Sequence, residues 1–148
     1  MTVMRGSGFA TAAALAGLLA TGAAMATEPA TTEGAATLIF GRWYGALEAA
    51  DREEIAALLA PDATITLTDL DITQSRDEFV DSMDEWADAI AGGSIRYRVV
   101  SADDAGAQVT VCYTFTGNAM MTDERFTVRD GLIETSVQTT LADHCDGF

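Results

Sequence analysis

The second half of the chain alternates, and nothing else in the sequence limits the possible folds as strongly. Ile95, Tyr97 and Val99 interleave with Arg96 and Arg98, and Val109, Val111, Tyr113 and Phe115 interleave with Gln108, Thr110, Cys112 and Thr114. A period of two marks strands that bury one face. Two further runs, Arg125–Arg129 and Leu132–Leu141, flank Asp130-Gly131, a dipeptide suited to the left-handed backbone of a two-residue hairpin. Strands in this order predict an antiparallel meander whose apolar face needs a cover.

The first half supplies the cover. From Gly34 to Ala50, Leu38, Ile39, Trp43, Ala46, Leu47 and Ala50 recur at helical spacing. Asp51 with Glu54 three residues on predicts a capped second helix through Ile55, Leu58 and Leu59, stopped by Pro61. Thr64–Thr68 alternates Thr with Ile and Leu and predicts a strand. Ser75 and Glu78 repeat the capping logic for a third helix, striped by Phe79, Val80, Met83, Trp86, Ala87 and Ile90 and ended by Gly92-Gly93. The expected fold is α+β: three N-terminal helices on the concave face of a curved, mostly antiparallel sheet.

The N-terminus is of another kind. Met1–Gly8 carries only Arg5, Phe9–Ala24 is apolar and uncharged, and Ala24-Met25-Ala26 is a small-x-small cleavage pattern before an abruptly polar stretch. This anatomy predicts a cleaved signal peptide over residues 1–26 and a periplasmic or secreted protein. A transmembrane anchor needs ~20 strongly apolar residues, and this run is shorter and diluted by Thr, Gly and Ala. Residues 27–33 read as a flexible leader and residues 34–148 as one domain.

Charge and cysteine content narrow the function. The net charge is −15 and the chain has no Lys, a field that repels phosphate backbones and anionic headgroups; no nucleic-acid partner, and no membrane partner after cleavage, is expected. Cys112 and Cys145 are the only cysteines, and export makes a disulfide the default. By parity Cys112 faces away from Val111 and Tyr113, so the bond would strap the tail across the outer sheet face. A metal reading would recruit Asp143 and His144, but adjacent ligands suit a tetrahedral ion poorly; no metal or cofactor is expected.

Three segments carry a family resemblance. "WYGALEAADREEIAALLAPDATITL", "SRDEFVDSM" and "FTVRDGLIETSVQ" resemble, in order and spacing, the nuclear transport factor 2-like superfamily, which includes SnoaL-like cyclases and ketosteroid isomerases. The resemblance implies a cone-shaped α+β barrel with an apolar pocket between helices and sheet, and often a homodimer. Carried over by register, the isomerases' helix-one Tyr falls at Trp43, with Tyr44 one position round the helix. Their strand-one Asp base falls at Leu67, and their second acid near Asp123–Arg125. A leucine cannot take a proton, so steroid isomerase activity is not supported.

Trp43, Tyr44, Trp86, Tyr97, Tyr113 and Phe115 are the expected pocket lining; polar-tipped aromatics suit a wall that also orients a ligand, and the same residues at the same spacing suit an ordinary core. Asp69 and Asp71, just past the first strand, are either pocket-mouth carboxylates acting with Tyr44 or exposed turn acids. The function expected is an exported domain that binds a small apolar or aromatic molecule or mediates assembly. The alternative is a cofactor-independent isomerase, cyclase or dehydratase using carboxylate and Tyr groups.

Overall fold

In the computed structural model, which describes residues 32–148, the expected caps govern the helices. Asp51 accepts a hydrogen bond from the Glu54 amide at 3.0 Å and starts α2, Arg52–Leu58, directly after α1, Thr32–Ala49. Ser75 and Glu78 close a reciprocal capping box, the Ser75 amide donating to Glu78 Oε2 at 2.8 Å, and open α3, Arg76–Asp81. The stripe expected to form one helix is broken at Ser82. Its hydroxyl donates back to the Phe79 carbonyl at 2.7 Å, and its ψ of −4° turns the chain before α4, Met83–Ile90. The expected signal peptide lies outside the described residues, as does the leader except for Thr32 and Glu33, which belong to α1.

Pro61, expected to stop α2, lies inside β1, Leu59–Leu67, which begins where the helix ends. The pairing of β1 with its neighbour shifts register between Leu59 and Thr64, so the missing proline N–H falls where the ladder is already irregular. A 3-10 turn, Thr68–Leu70, follows, with Asp71 left-handed at φ 53°. A short strand, β2, Ile72–Ser75, then runs antiparallel to β1.

The meander is β3, Ser94–Asp103; β4, Gly106–Phe115; β5, Asn118–Arg129; and β6, Leu132–Ala142. Asp130 and Gly131, at φ 54° and 76°, make the expected hairpin. β5 begins at Asn118, well before Arg125. The sheet order is β2-β1-β6-β5-β4-β3, antiparallel except where β1 runs parallel to β6. The helices pack on its inner face around Phe40, Trp43, Leu47, Val109, Val111 and Ile133, all buried. The expected α+β architecture is present, but the sheet stays open, with β2 and β3 as edges. Among the described residues no helix is long and apolar enough to cross a membrane.

Cys112 and Cys145 are disulfide-bonded, Cα to Cα 5.7 Å. The tail folds back over the outer face, where the Phe148 ring lies 5.0 Å from the Arg96 guanidinium and 5.2 Å from that of Arg98.

Candidate functional site

Alternation along β4 turns Tyr113 inward, and alternation along β5 turns Thr122, Glu124 and Phe126 inward. Glu124 therefore sits on the face covered by helices, only 2 % exposed. The Tyr113 hydroxyl donates to its Oε1 at 2.5 Å and Thr122 Oγ1 to the same oxygen at 3.1 Å, while the Tyr44 hydroxyl from α1 donates to Oε2 at 2.9 Å. A buried carboxylate normally acquires a cation. Here the partners are three neutral hydroxyls.

Burial raises the Glu124 pKa above the ordinary glutamate value, and the hydroxyls oppose the shift without cancelling it. Burial beside Glu124 likewise pushes Tyr44 and Tyr113 well above the usual phenol value, so both stay neutral. In the protonated state the carboxyl becomes a donor. One contact then reverses, and a hydroxyl is released toward whatever lies beside it.

Beside it lies a cavity of about 320 Å³. Trp43 and Leu47 of α1, Phe79 of α3, and Met83 and Trp86 of α4 form its helical wall, and Ile65 and Leu67 of β1 part of the sheet wall. The Trp86 indole N–H donates to the Leu47 carbonyl at 2.6 Å, which fixes the ring edge-on to Tyr113 with centroids 5.8 Å apart. Trp43 stacks on Phe79 at 5.8 Å. Glu124, Tyr113, Ser136 and Gln138 bring polar atoms to this apolar space. Among the described residues no group of three His, Cys, Asp or Glu side chains is arranged to hold a metal ion.

Of the aromatic residues expected at the pocket, Trp43, Trp86 and Tyr113 line the cavity. Tyr44 stands behind the lining, stacked on Tyr97 at 4.6 Å, and Phe115 packs against Trp86 and Tyr113 from outside it. Asp69 is at the rim, where its carboxylate accepts the Thr140 amide at 2.6 Å. That bond holds its pKa below the usual carboxylate range, the wrong direction for a base near neutrality. Asp71 is exposed on the left-handed turn and does not border the cavity. Leu67 does border it, placing an alkyl group at the register of the isomerase base.

Glu124 was the residue missed. The register of the resemblance reached Asp123–Arg125 without choosing among them. The choice was available from parity, because counting back in twos from the apolar Val128 and Phe126 lands on Glu124.

A SnoaL-like domain model matches residues 40–135. The fold is shared with a candidate ketosteroid isomerase from Kribbella flavida DSM 17836, at 19 % identity over 79 % of this chain and 84 % of that one, TM-score 0.65. It is shared with an NTF-2 like protein of unknown function from Burkholderia xenovorans LB400, at 14 % identity over 79 % and 90 %, TM-score 0.65. The candidate polyketide cyclase IdmH from Streptomyces antibioticus matches at 17 % identity over 71 % and 91 %, TM-score 0.57. At these identities the likeness shows the fold. No curated protein is significantly similar in sequence.

Proposed function

The chain belongs to the SnoaL-like domain family, and from that premise we propose that its cavity binds a small, largely apolar or aromatic molecule and holds an oxygen of that molecule at Tyr113 and Glu124. The observation that carries this reading is the cation-free carboxyl of Glu124 on the cavity wall, ringed by hydroxyls. Burial shifts Glu124 toward its protonated form, in which it can donate a hydrogen bond where the carboxylate only accepts. Stacked and edge-on aromatics supply the apolar contact, and the polar wall supplies orientation.

The two tryptophans of the chain, Trp43 and Trp86, both line the cavity, so their fluorescence reports occupancy. Titration with 2-naphthol is expected to quench them, with Tyr113→Phe weakening binding about 5–10-fold, the worth of one hydrogen bond. Absence of binding to the wild-type protein overturns the reading.

A second reading, cofactor-independent proton transfer of the isomerase, cyclase or dehydratase type, draws support from the raised pKa of Glu124, which suits a general acid. It predicts that 2-tetralone in D2O exchanges its acidic ring CH2 protons faster with wild-type protein than with Glu124→Gln. Equal rates remove it.

Export to the periplasm or the medium belongs to the same proposal. It is supported by the signal-like residues 1–26 and by the Cys112–Cys145 bond. Intact mass of the exported protein should begin at Thr27; a full-length chain in the membrane fraction contradicts it.

A further inference from the structure

The polar side of the cavity is more than Glu124. β6 contributes Ser136 and Gln138, two residues apart and so on one face of the strand. Ser136 is 4 % exposed, yet among the described residues neither its hydroxyl nor the Gln138 amide has a hydrogen-bond partner in the protein. Gln138 is half-buried, and both side chains border the cavity, so the partner open to each of them is whatever occupies it. The neighbouring strands supply none. Ser136 sits between Ile65 of β1 and Phe126 of β5, and Gln138 between Leu67 and Glu124. The inner face of the sheet thus carries two polar stations, Gln138 with Glu124 at one level and Ser136 at the next. Among the described residues the helical wall opposite is mainly aromatic and aliphatic, with Ser82 and the unpaired indole N–H of Trp43 as its polar atoms, and Asp69, Gln74 and Thr140 also border the cavity.

We infer that the ligand is a flat one- or two-ring molecule with two oxygen functions on one edge, the first held at Glu124, Tyr113 and Gln138 and the second at Ser136. This rests on the reading of the cavity as a small-molecule site and adds the class of molecule. Two residues along a strand separate the stations by about 7 Å. That backbone spacing suits oxygens on neighbouring rings better than vicinal diols or compact 1,3-dicarbonyls. A volume of about 320 Å³ lies at the low end for small-molecule sites and accommodates a one- or two-ring molecule. A site built to hydrogen-bond a hydroxyl discriminates against the analogue lacking it, because its own buried group is then left unpaired.

Three probes separate the possibilities by quenching of Trp43 and Trp86. 2,7-Dihydroxynaphthalene carries two hydroxyls on one long edge at about the station spacing; 2,3-dihydroxynaphthalene carries them side by side; 2-naphthol carries one. The 2,7-diol is expected to bind at least about 10-fold more tightly than 2-naphthol, and the 2,3-diol no better than 2-naphthol. In Ser136→Ala the 2,7-diol should lose more affinity than 2-naphthol does, so that its advantage over 2-naphthol disappears. Should 2-naphthol bind but the 2,7-diol bind no better, the two-station inference is overturned and the simpler pocket reading stands. Should Ser136→Ala weaken both probes equally, Ser136 is structural and the inference again fails. Should none of the three bind to wild-type protein, both readings fall together.

Discussion

On β4, Cys112 and Tyr113 are neighbours in sequence and belong to different chemistries. Tyr113 turns inward and donates to a carboxyl sealed from water. Cys112 turns outward and is bonded to the tail, beside a Phe148 ring held between two arginines. β5 repeats the division: Glu124 faces in, among hydroxyls, and Asp123 faces out, where Gln108 donates to it at 2.7 Å and Arg125 at 3.1 Å. The outer face relies on a covalent link and charge pairs screened by solvent. The inner face relies on neutral donors, because a cation brought inside would itself have to be desolvated. One sheet therefore has a face built for constraint and a face built around a buried acid.

Breaking the outer face should cost most. Cys112→Ala with Cys145→Ala removes a crosslink between residues 33 apart, and a loop of that size stabilises by about 3–4 kcal/mol in the chain-entropy model. Denaturant unfolding measures this, and a loss below about 1 kcal/mol would show that the strap is decorative. The inner face should respond next. Tyr113→Phe takes away one of the two donors to Glu124 Oε1, a loss of about 1–3 kcal/mol for a buried group left short of a partner. The double change with Tyr44→Phe should depart from additivity, since both hydroxyls serve one carboxyl; strict additivity would mean that they act independently.

Glu124→Gln sharpens the contrast through pH. A carboxyl whose folded pKa is raised stabilises the fold below the ordinary glutamate value, and that stability is lost as pH rises through the folded value. Wild type minus Glu124→Gln stability should therefore fall with rising pH across that window, by about 1.4 kcal/mol for each pKa unit of displacement. A flat difference would mean that Glu124 titrates as an exposed acid. Smallest of all is Asp69→Asn at the rim. The carboxylate of Asp69 is held low by the Thr140 amide, so its contribution is present above the ordinary aspartate value and is lost as pH falls through the lowered one. Faster hydrogen exchange at the Thr140 amide is the expected readout; unchanged exchange would mean that the bond does not hold the rim.

The alternating strands, the caps at Asp51 and Ser75 and the Asp130-Gly131 turn were legible because each is a local pattern with a local cause. The start of β5 was not. Met120, Met121, Thr122, Asp123 and Glu124 present no clean alternation, since the inward positions here include a Thr and an acid. β2 is only four residues long and is defined by its pairing with β1. Half of the expected aromatic lining reaches the cavity. The other half backs it, because helical and strand spacing give the direction of a side chain but not the depth at which a void is left. Parity from Val128 and Phe126 selects Glu124 within Asp123–Arg125, but its hydroxyl partners on α1 and β4 are a property of the assembled fold and leave no local pattern.

The parallel pairing of β1 with β6 also sets an order in time. Leu67 lies beside Gln138, so this contact closes a loop of roughly 70 residues before it returns any stability. Helices and hairpins made from local contacts can assemble early, whereas this seam waits for a strand that leaves the ribosome late. Until it closes, Ile65 and Leu67 are an unpaired apolar edge, and Ser136 and Gln138 have no cavity to face. The pocket therefore depends on long-range closures, this seam and the Tyr44–Glu124 contact across 80 residues, and a chain short of β6 has neither the seam nor the polar side of the cavity to offer a ligand.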